Sequence, residues 1–218
     1  MTTVPYDTIL ERIRERYVRD PEIIQRLRAE SAAQPRSQFL LDAECGALLR
    51  TLARAVNPAK SLDIGVFTGF SSLTVAMEAP DARVIALDID AETTKIARRY
   101  WEEAGVADRI DLRIGPAVES LDAMLANGEA GSVDFAFIDA DKTGYPAYVE
   151  RVTKLLRPGG VMLLDNMIRL ILEEPSPDAE LLDQLSQDMV ADPRLTVAVI
   201  PLGSGMTLAT KNGSQRAK

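Results

Sequence analysis

Beyond residue 60 the chain keeps a strict rhythm. Short apolar runs at 61–64, 83–87, 110–114, 133–138 and 161–164 alternate with amphipathic stretches at 71–78, 91–104, 117–126 and 145–156. Each stretch is long enough for one helix. The alternation predicts βαβ units, hence a parallel sheet with helices on both faces. One more helix is expected at 178–190. Two last runs, 195–200 and 206–211, are joined by Pro201-Leu202-Gly203-Ser204-Gly205 and predict an antiparallel hairpin.

The first sixty residues read as helices instead. Residues 8–19 place Ile9, Ile13 and Tyr17 on one face, opposite charged side chains. Asp20-Pro21 has the pattern of an N-cap and a first-turn proline, opening a helix through Ile23, Ile24 and Leu27. Residues 31–37, which contain Pro35, predict a loop, and a third helix follows at 42–56. The chain is read as one domain: a helical cover at 1–58, an α/β core at 59–211 and a frayed polar tail at 212–218.

Composition narrows the chemistry. The 218 residues include no histidine, which removes Ser-His-Asp and Cys-His systems, imidazole bases and histidine-built zinc sites. Acid–base work falls to Asp, Glu, Lys, Tyr, the single cysteine or a metal-bound oxygen. Cys45 stands alone, among Ala47, Leu48 and Leu49, and reads as a buried thiol. The net charge is −8, from 25 basic and 33 acidic residues, so the chain would repel phosphate backbones and no nucleic-acid partner is expected. No apolar run reaches the roughly 18–20 residues of a membrane span, and the charged first twenty residues do not resemble a signal peptide. The expectation is a cytoplasmic protein without a membrane partner.

The first strand-to-helix turn reads Leu62-Asp63-Ile64-Gly65-Val66-Phe67-Thr68-Gly69-Phe70-Ser71-Ser72. Such a turn borders the crevice where open α/β sheets bind ligands. Gly65 and Gly69, four apart, do not make the G-x-G-x-x-G dinucleotide fingerprint. Asp63 would oppose a pyrophosphate but suits the cationic sulfonium and ammonium of S-adenosylmethionine. A tight turn without a ligand reads the same residues equally well. Asp88 ends the second run, where an acid can accept from both hydroxyls of a ribose. Asp139 and Lys142 follow the fourth run, and Asp165-Asn166 the fifth. If these strands are neighbours, two carboxylates and an amide oxygen converge, a donor set for a hard cation such as Mg2+. A neutral Lys142 beside it could take the proton of a metal-acidified hydroxyl. Asp and Asn also end strands simply as turn formers, and Lys142 also reads as a solvated lysine.

Taken in order, LDIGVFTGFSS, ALDID, IGPA, FIDADK, LRPGG and LLDN resemble the cation-dependent O-methyltransferase family, which includes catechol and caffeoyl-CoA O-methyltransferases. The resemblance covers residues 38–211. It implies a Rossmann-like, doubly wound α/β sheet, mostly parallel with an antiparallel C-terminal hairpin strand, and N-terminal helices packed on it. It further implies that Asp63, Gly65, Ser71, Asp88, Ala117 and Asp139 hold S-adenosylmethionine. Asp139, Asp165 and Asn166 would hold Mg2+ or another divalent cation, and Lys142, with Asp139, would be catalytic. The implied acceptor is a small aromatic molecule with vicinal hydroxyls, one of which attacks the methyl group in line with sulfur. The implied assembly is a homodimer.

Three places depart from the family pattern. Residues 167–172 read Met-Ile-Arg-Leu-Ile-Leu where relatives often carry a tryptophan and a glycine. Ser204 stands where an aspartate is common, and Asp63 where glutamate is common. Arg169, on the altered segment, could pair with a carboxylate-bearing acceptor, although it also reads as a solvated arginine. Three other readings stay open. One is metal-independent methylation of a lone phenol, amine or carboxylate. Another is a nicotinamide-dependent oxidoreductase, and the last a silent binding module.

Overall fold

The computed structural model describes residues 4–172 and 175–213. Seven strands form one sheet: β1 (Lys60–Ile64), β2 (Arg83–Asp88), β3 (Ile110–Ile114), β4 (Val133–Ile138), β5 (Leu156–Leu164), β6 (Leu195–Ile200) and β7 (Met206–Lys211). Their order is β3-β2-β1-β4-β5-β7-β6. The first five pair in parallel; β7 runs antiparallel to both β5 and β6. The reversal of order at β1 makes the sheet doubly wound and Rossmann-like.

Nine helices are described: α1 (Tyr6–Tyr17), α2 (Glu22–Ala32), α3 (Ala43–Val56), α4 (Phe70–Glu78), α5 (Thr93–Glu103), α6 (Ala117–Ala126), α7 (Tyr145–Leu155), α8 (Arg169–Leu172) and α9 (Pro177–Ala191). Alternation along the central strands supplies both sheet faces, as period-two geometry requires. Leu62, Ile64, Ile138 and Leu164 enter a core with α6, α7 and α9. Val84, Phe135, Phe137 and Leu163 enter a second core with α2, α3, α4 and α5. Cys45 lies in that second core, free and buried, and burial pushes its thiol up.

Several local expectations need correction. Asp20 does not cap α2; the N-cap is Pro21, with no side-chain cap. Asp20 instead accepts from Arg28 Nε at 2.9 Å, an ion pair in which both partners are charged, where a cap would offer only a neutral N–H donor. The expected loop at 31–37 starts later, because α2 continues to Ala32 and Ser31 Oγ back-bonds to Leu27 O at 2.7 Å. β5 begins earlier than expected, at Leu156, which pairs with Val133 before a register shift. Arg157 Nε holds this irregular start by donating to Asp134 Oδ1 at 2.5 Å. The short helix α8 was not expected. In the tail, Asn212 is tied down: its Nδ2 donates to Pro193 O at 3.0 Å and its Oδ1 accepts from Thr196 at 2.7 Å. Residues 214–218 lie outside the described residues. Among the described residues no helix is long and apolar enough to cross a membrane.

Candidate active site

The parallel strands end in one row. Beyond their last paired residues, Gly65 N donates to Leu87 O at 2.9 Å, Asp139 N to Ile64 O at 2.8 Å and Asp165 N to Ile138 O at 3.1 Å. The ladder thereby carries Gly65, Asp139 and Asp165 to a common edge, with Asp88 at the end of β2. A cavity of about 1170 Å³ opens there. Gly65, Ser71, Asp88, Ala117, Asp139, Lys142, Asp165 and Asn166 all line it. Asp63, the remaining expected site residue, does not.

The β1–α4 turn owes its glycines to packing. A Cβ on Gly65, where φ is +93°, would stand 2.0 Å from the Asp139 carbonyl oxygen. On Gly69, φ +88°, it would stand 2.5 Å from the Ala97 Cβ and 2.9 Å from Trp101 Nε1. Both positions need a left-handed backbone and no side chain. Asp63 shares a sheet face with Phe137 and Leu163 and is buried against α4. Its Oδ2 accepts from Ser71 Oγ at 2.7 Å and from Ser72 Oγ, while Oδ1 has no partner. Burial pushes its carboxyl up to about 7, against the opposing effect of the two hydroxyls. Asp63 thus reaches the cavity through Ser71.

Asp88 is already well supplied with donors. Oδ2 accepts from the backbone N–H groups of Val66 and Phe67, each at 2.8 Å, and Oδ1 from that of Asp90 at 2.8 Å. These bonds fix the turn and the carboxylate together. Oxygens that each accept one or two bonds retain lone pairs toward the cavity.

Around Asp139 and Asp165 the arrangement differs. Lys142 Nζ donates to Asp139 Oδ1 at 3.0 Å and to Tyr145 Oη at 2.8 Å, and lies 4.7 Å from the Tyr145 ring centroid. The buried Tyr145 hydroxyl is within 3.2 Å of both the Ile138 and Asp165 carbonyl oxygens, so it orients the lysine from below. Asp141 builds the turn that presents Lys142: Oδ2 accepts from Gly144 N at 2.9 Å and Oδ1 from Tyr148 Oη at 2.5 Å. Asp165 is only 6% exposed, and its Oδ1 is buried with no partner. Burial, then repulsion from Asp139, pushes its carboxyl up to about 8. Asn166 follows with φ +64°, a left-handed conformation that is strained for any residue but glycine, though asparagine tolerates it best.

An unpartnered buried carboxylate oxygen beside a second carboxylate and an amide is what a hard cation would satisfy. The all-oxygen donor set fits Mg2+. Among the described residues no group of three or more His, Cys, Asp or Glu side chains stands together, so an oxygen site here needs Asn166 or further ligands.

The sequence reading missed the cavity's other wall. Residues 36–42, between α2 and α3, line it. Phe39 packs edge-on against Phe67 with centroids 6.1 Å apart, and Arg36 lies 3.6 Å from Asp90. Nothing local in the sequence marks this segment as a wall; it became one by tertiary packing. Tyr145 and Tyr148 were also missed, although their spacing of three on a helix beginning just after Lys142 was a usable signal.

The profile of a family described as O-methyltransferase matches residues 14–212. The chain belongs to that O-methyltransferase family. Among its relatives, Catechol O-methyltransferase domain-containing protein 1 of Mus musculus is 39% identical over 201 residues, covering 90% of this chain and 77% of the mouse protein. Caffeoyl-CoA O-methyltransferase 1 of Eucalyptus globulus is 35% identical over 206 residues, covering 89% of this chain and 84% of its own length. The crystal structure of the O-methyltransferase TomG from Streptomyces achromogenes, involved in tomaymycin synthesis and in complex with SAM, superposes with a TM-score of 0.79 at 28% identity. That match covers 94% of this chain and 96% of TomG. The family relation agrees with the resemblance read from the motifs and displaces the oxidoreductase and silent-module readings.

Proposed function

We propose that this O-methyltransferase moves the methyl group of S-adenosylmethionine to one hydroxyl of a small aromatic vicinal diol, assisted by a divalent cation. The observation that carries the proposal is the buried, unpartnered Asp165 Oδ1 beside the Asp139–Lys142 pair on the cavity wall. S-adenosylmethionine supplies an electrophilic methyl on a sulfonium, and a divalent cation supplies Lewis acidity that makes a hydroxyl easier to deprotonate.

The chain's own residues divide the work. Gly65, Ser71, Asp88 and Ala117 form the cofactor half, where Asp88 accepts from ribose hydroxyls and Asp63 sets Ser71. Asp139, Asp165 and Asn166 would hold the cation. Lys142 acts as base only as the neutral amine, whose lone pair takes the acceptor's hydroxyl proton while its two N–H bonds serve Asp139 and Tyr145; Tyr145 keeps it in place. Alignment of the two reactants in one cavity supplies much of the rate.

The test is a methyl-transfer screen over catechols, hydroxybenzoates and simple phenols, each with Mg2+ and with EDTA. Transfer to vicinal diols is expected with Mg2+ and its loss with EDTA. Lys142→Ala should lower turnover about 10²–10⁴-fold, the worth of a general base, and Asp139→Ala should abolish it. Full activity in chelator would falsify the cation requirement while leaving methyl transfer intact. That outcome would favour a second reading, metal-independent transfer to a lone phenol, amine or carboxylate. One observation speaks for it: the Lys142 ammonium already partners Asp139 at 3.0 Å.

A further inference from the structure

One wall residue stands at a helix N-cap and does not cap it. Asp42 occupies the N-cap position of α3, yet its carboxylate makes no cap hydrogen bond. It lines the cavity instead, and Oδ1 accepts from Arg14 Nη2 at 3.0 Å. Arg14 is committed mainly elsewhere. It holds the buried Glu44 by two bonds, Nε to Oε2 at 2.5 Å and Nη2 to Oε1 at 2.8 Å. One guanidinium thus serves two carboxylates, so the trio keeps one negative charge in excess; the other nearby cation, Arg28, is taken by Asp20 Oδ2 at 2.9 Å and meets Asp42 only at its backbone carbonyl. That charge falls on Asp42, because Glu44 has the fork geometry and the burial.

The position of Asp42 identifies which half of the cavity feels this charge. A Cβ on Gly203 would stand 2.9 Å from Asp42 Oδ2, so the carboxylate lies under the β6–β7 loop. The next loop residue, Ser204, lines the cavity, as do Asp165 and Asn166. The same loop grips the segment after Asn166: Met167 N donates to Gly205 O at 2.9 Å. Asp42 therefore belongs with the β4–β5 half, away from Asp88 and Ala117.

We propose that Asp42 is a specificity-determining residue that filters methyl acceptors by charge, favouring amine-bearing and neutral aromatic diols over carboxylate-bearing ones. The proposal rests on the methyl-transfer reading above. A fixed, half-buried carboxylate on the cavity wall repels an anionic substituent and attracts a cationic one, and it leaves a neutral one unaffected. It also opposes the sequence-based expectation that Arg169, on the same wall, recruits carboxylates.

The test uses three probes that differ only in their substituent: catechol, 4-(2-aminoethyl)catechol and 3,4-dihydroxybenzoate. Wild type should show kcat/KM in the order amine, neutral, carboxylate. Asp42→Asn should raise kcat/KM for the carboxylate about tenfold, lower it for the amine by a similar factor, and leave catechol within about twofold. Asp42→Glu, which keeps the charge, should retain the wild-type order. In unmodified protein, raising NaCl from 0.05 to about 0.5 M should compress the amine-to-carboxylate ratio, since screening acts on the charge alone. Equal changes for all three probes in Asp42→Asn, or a salt-independent ratio, overturn the filter. A wild-type preference for the carboxylate overturns it in favour of Arg169. Transfer to none of the three overturns the vicinal-diol reading and the filter with it.

Discussion

Gly65 and Asn166 close corresponding turns at the ends of β1 and β5, and both are left-handed, with φ of +93° and +64°. The two turns solve the same backbone problem differently. At Gly65 the chain crosses the Asp139 carbonyl so closely that no side chain fits, and glycine adopts the conformation freely. At Asn166 a side chain is retained on the cavity wall, although the backbone conformation costs about 1–2 kcal/mol for a residue with a Cβ. Glycine marks the place where only geometry is needed. A strained asparagine marks the place where the turn must also present a group.

That comparison can be broken. Gly65→Ala should destabilise the protein by at least about 3 kcal/mol, through steric conflict with backbone rather than loss of any ligand contact. Urea denaturation checks this without cofactor, and a variant that stays stable yet cannot bind cofactor would make Gly65 a ligand residue instead. Asn166→Gly should move the other way, gaining up to about 1 kcal/mol by relief of strain. Its Mg2+-supported turnover should fall at least about tenfold, the scale of damage around metal ligands. A variant both destabilised and fully active would remove the contrast.

A pH effect concerns Asp63, buried behind the Gly65 turn. Its folded carboxyl titrates near 7 against an ordinary 3.8. Between those values the folded state holds a proton that the unfolded chain has lost, so stability falls as pH rises through that window. Asp63→Asn keeps an acceptor for Ser71 and Ser72 but has no titration. Denaturation midpoints at pH 5 and pH 8 should therefore drop less for the variant than for wild type. Parallel drops would mean that Asp63 is ionised in the fold throughout.

Much of the sheet was legible because β1, β2 and β4 are short, largely apolar runs between turn residues, and burial on both faces leaves such runs few alternatives; β3, at the sheet edge, was legible by alternation, with Asp111 and Arg113 between Ile110, Leu112 and Ile114. The converging site residues were legible for the same reason: Asp139 and Asp165 follow the last apolar residue of their strands. What was not legible depended on partners distant in sequence. Asp20 has the pattern of a cap, yet Arg28 claims it, and Arg14 turns Asp42 away from the start of α3. Asp63 looked like a ligand residue, but its direction is set by hydroxyls on α4. The wall at 36–42 carries no periodicity, and only the packing of α2 and α3 against the sheet brings Phe39 to Phe67.

The sheet order also bears on the sequence of events during synthesis. β5 carries Asp165 at its end, and its outer neighbour is β7, which emerges from the ribosome some forty residues later and after β6. Until Met206–Lys211 are available, β5 presents an unpaired edge and the segment after Asn166 lacks the Gly205 carbonyl that holds Met167. The nascent chain can therefore assemble the half around Gly65 and Asp88 first. The half around Asp165 and Asn166 is finished only when nearly all of the chain described here has been made, so a prematurely released chain would be folded in part and sticky at one edge.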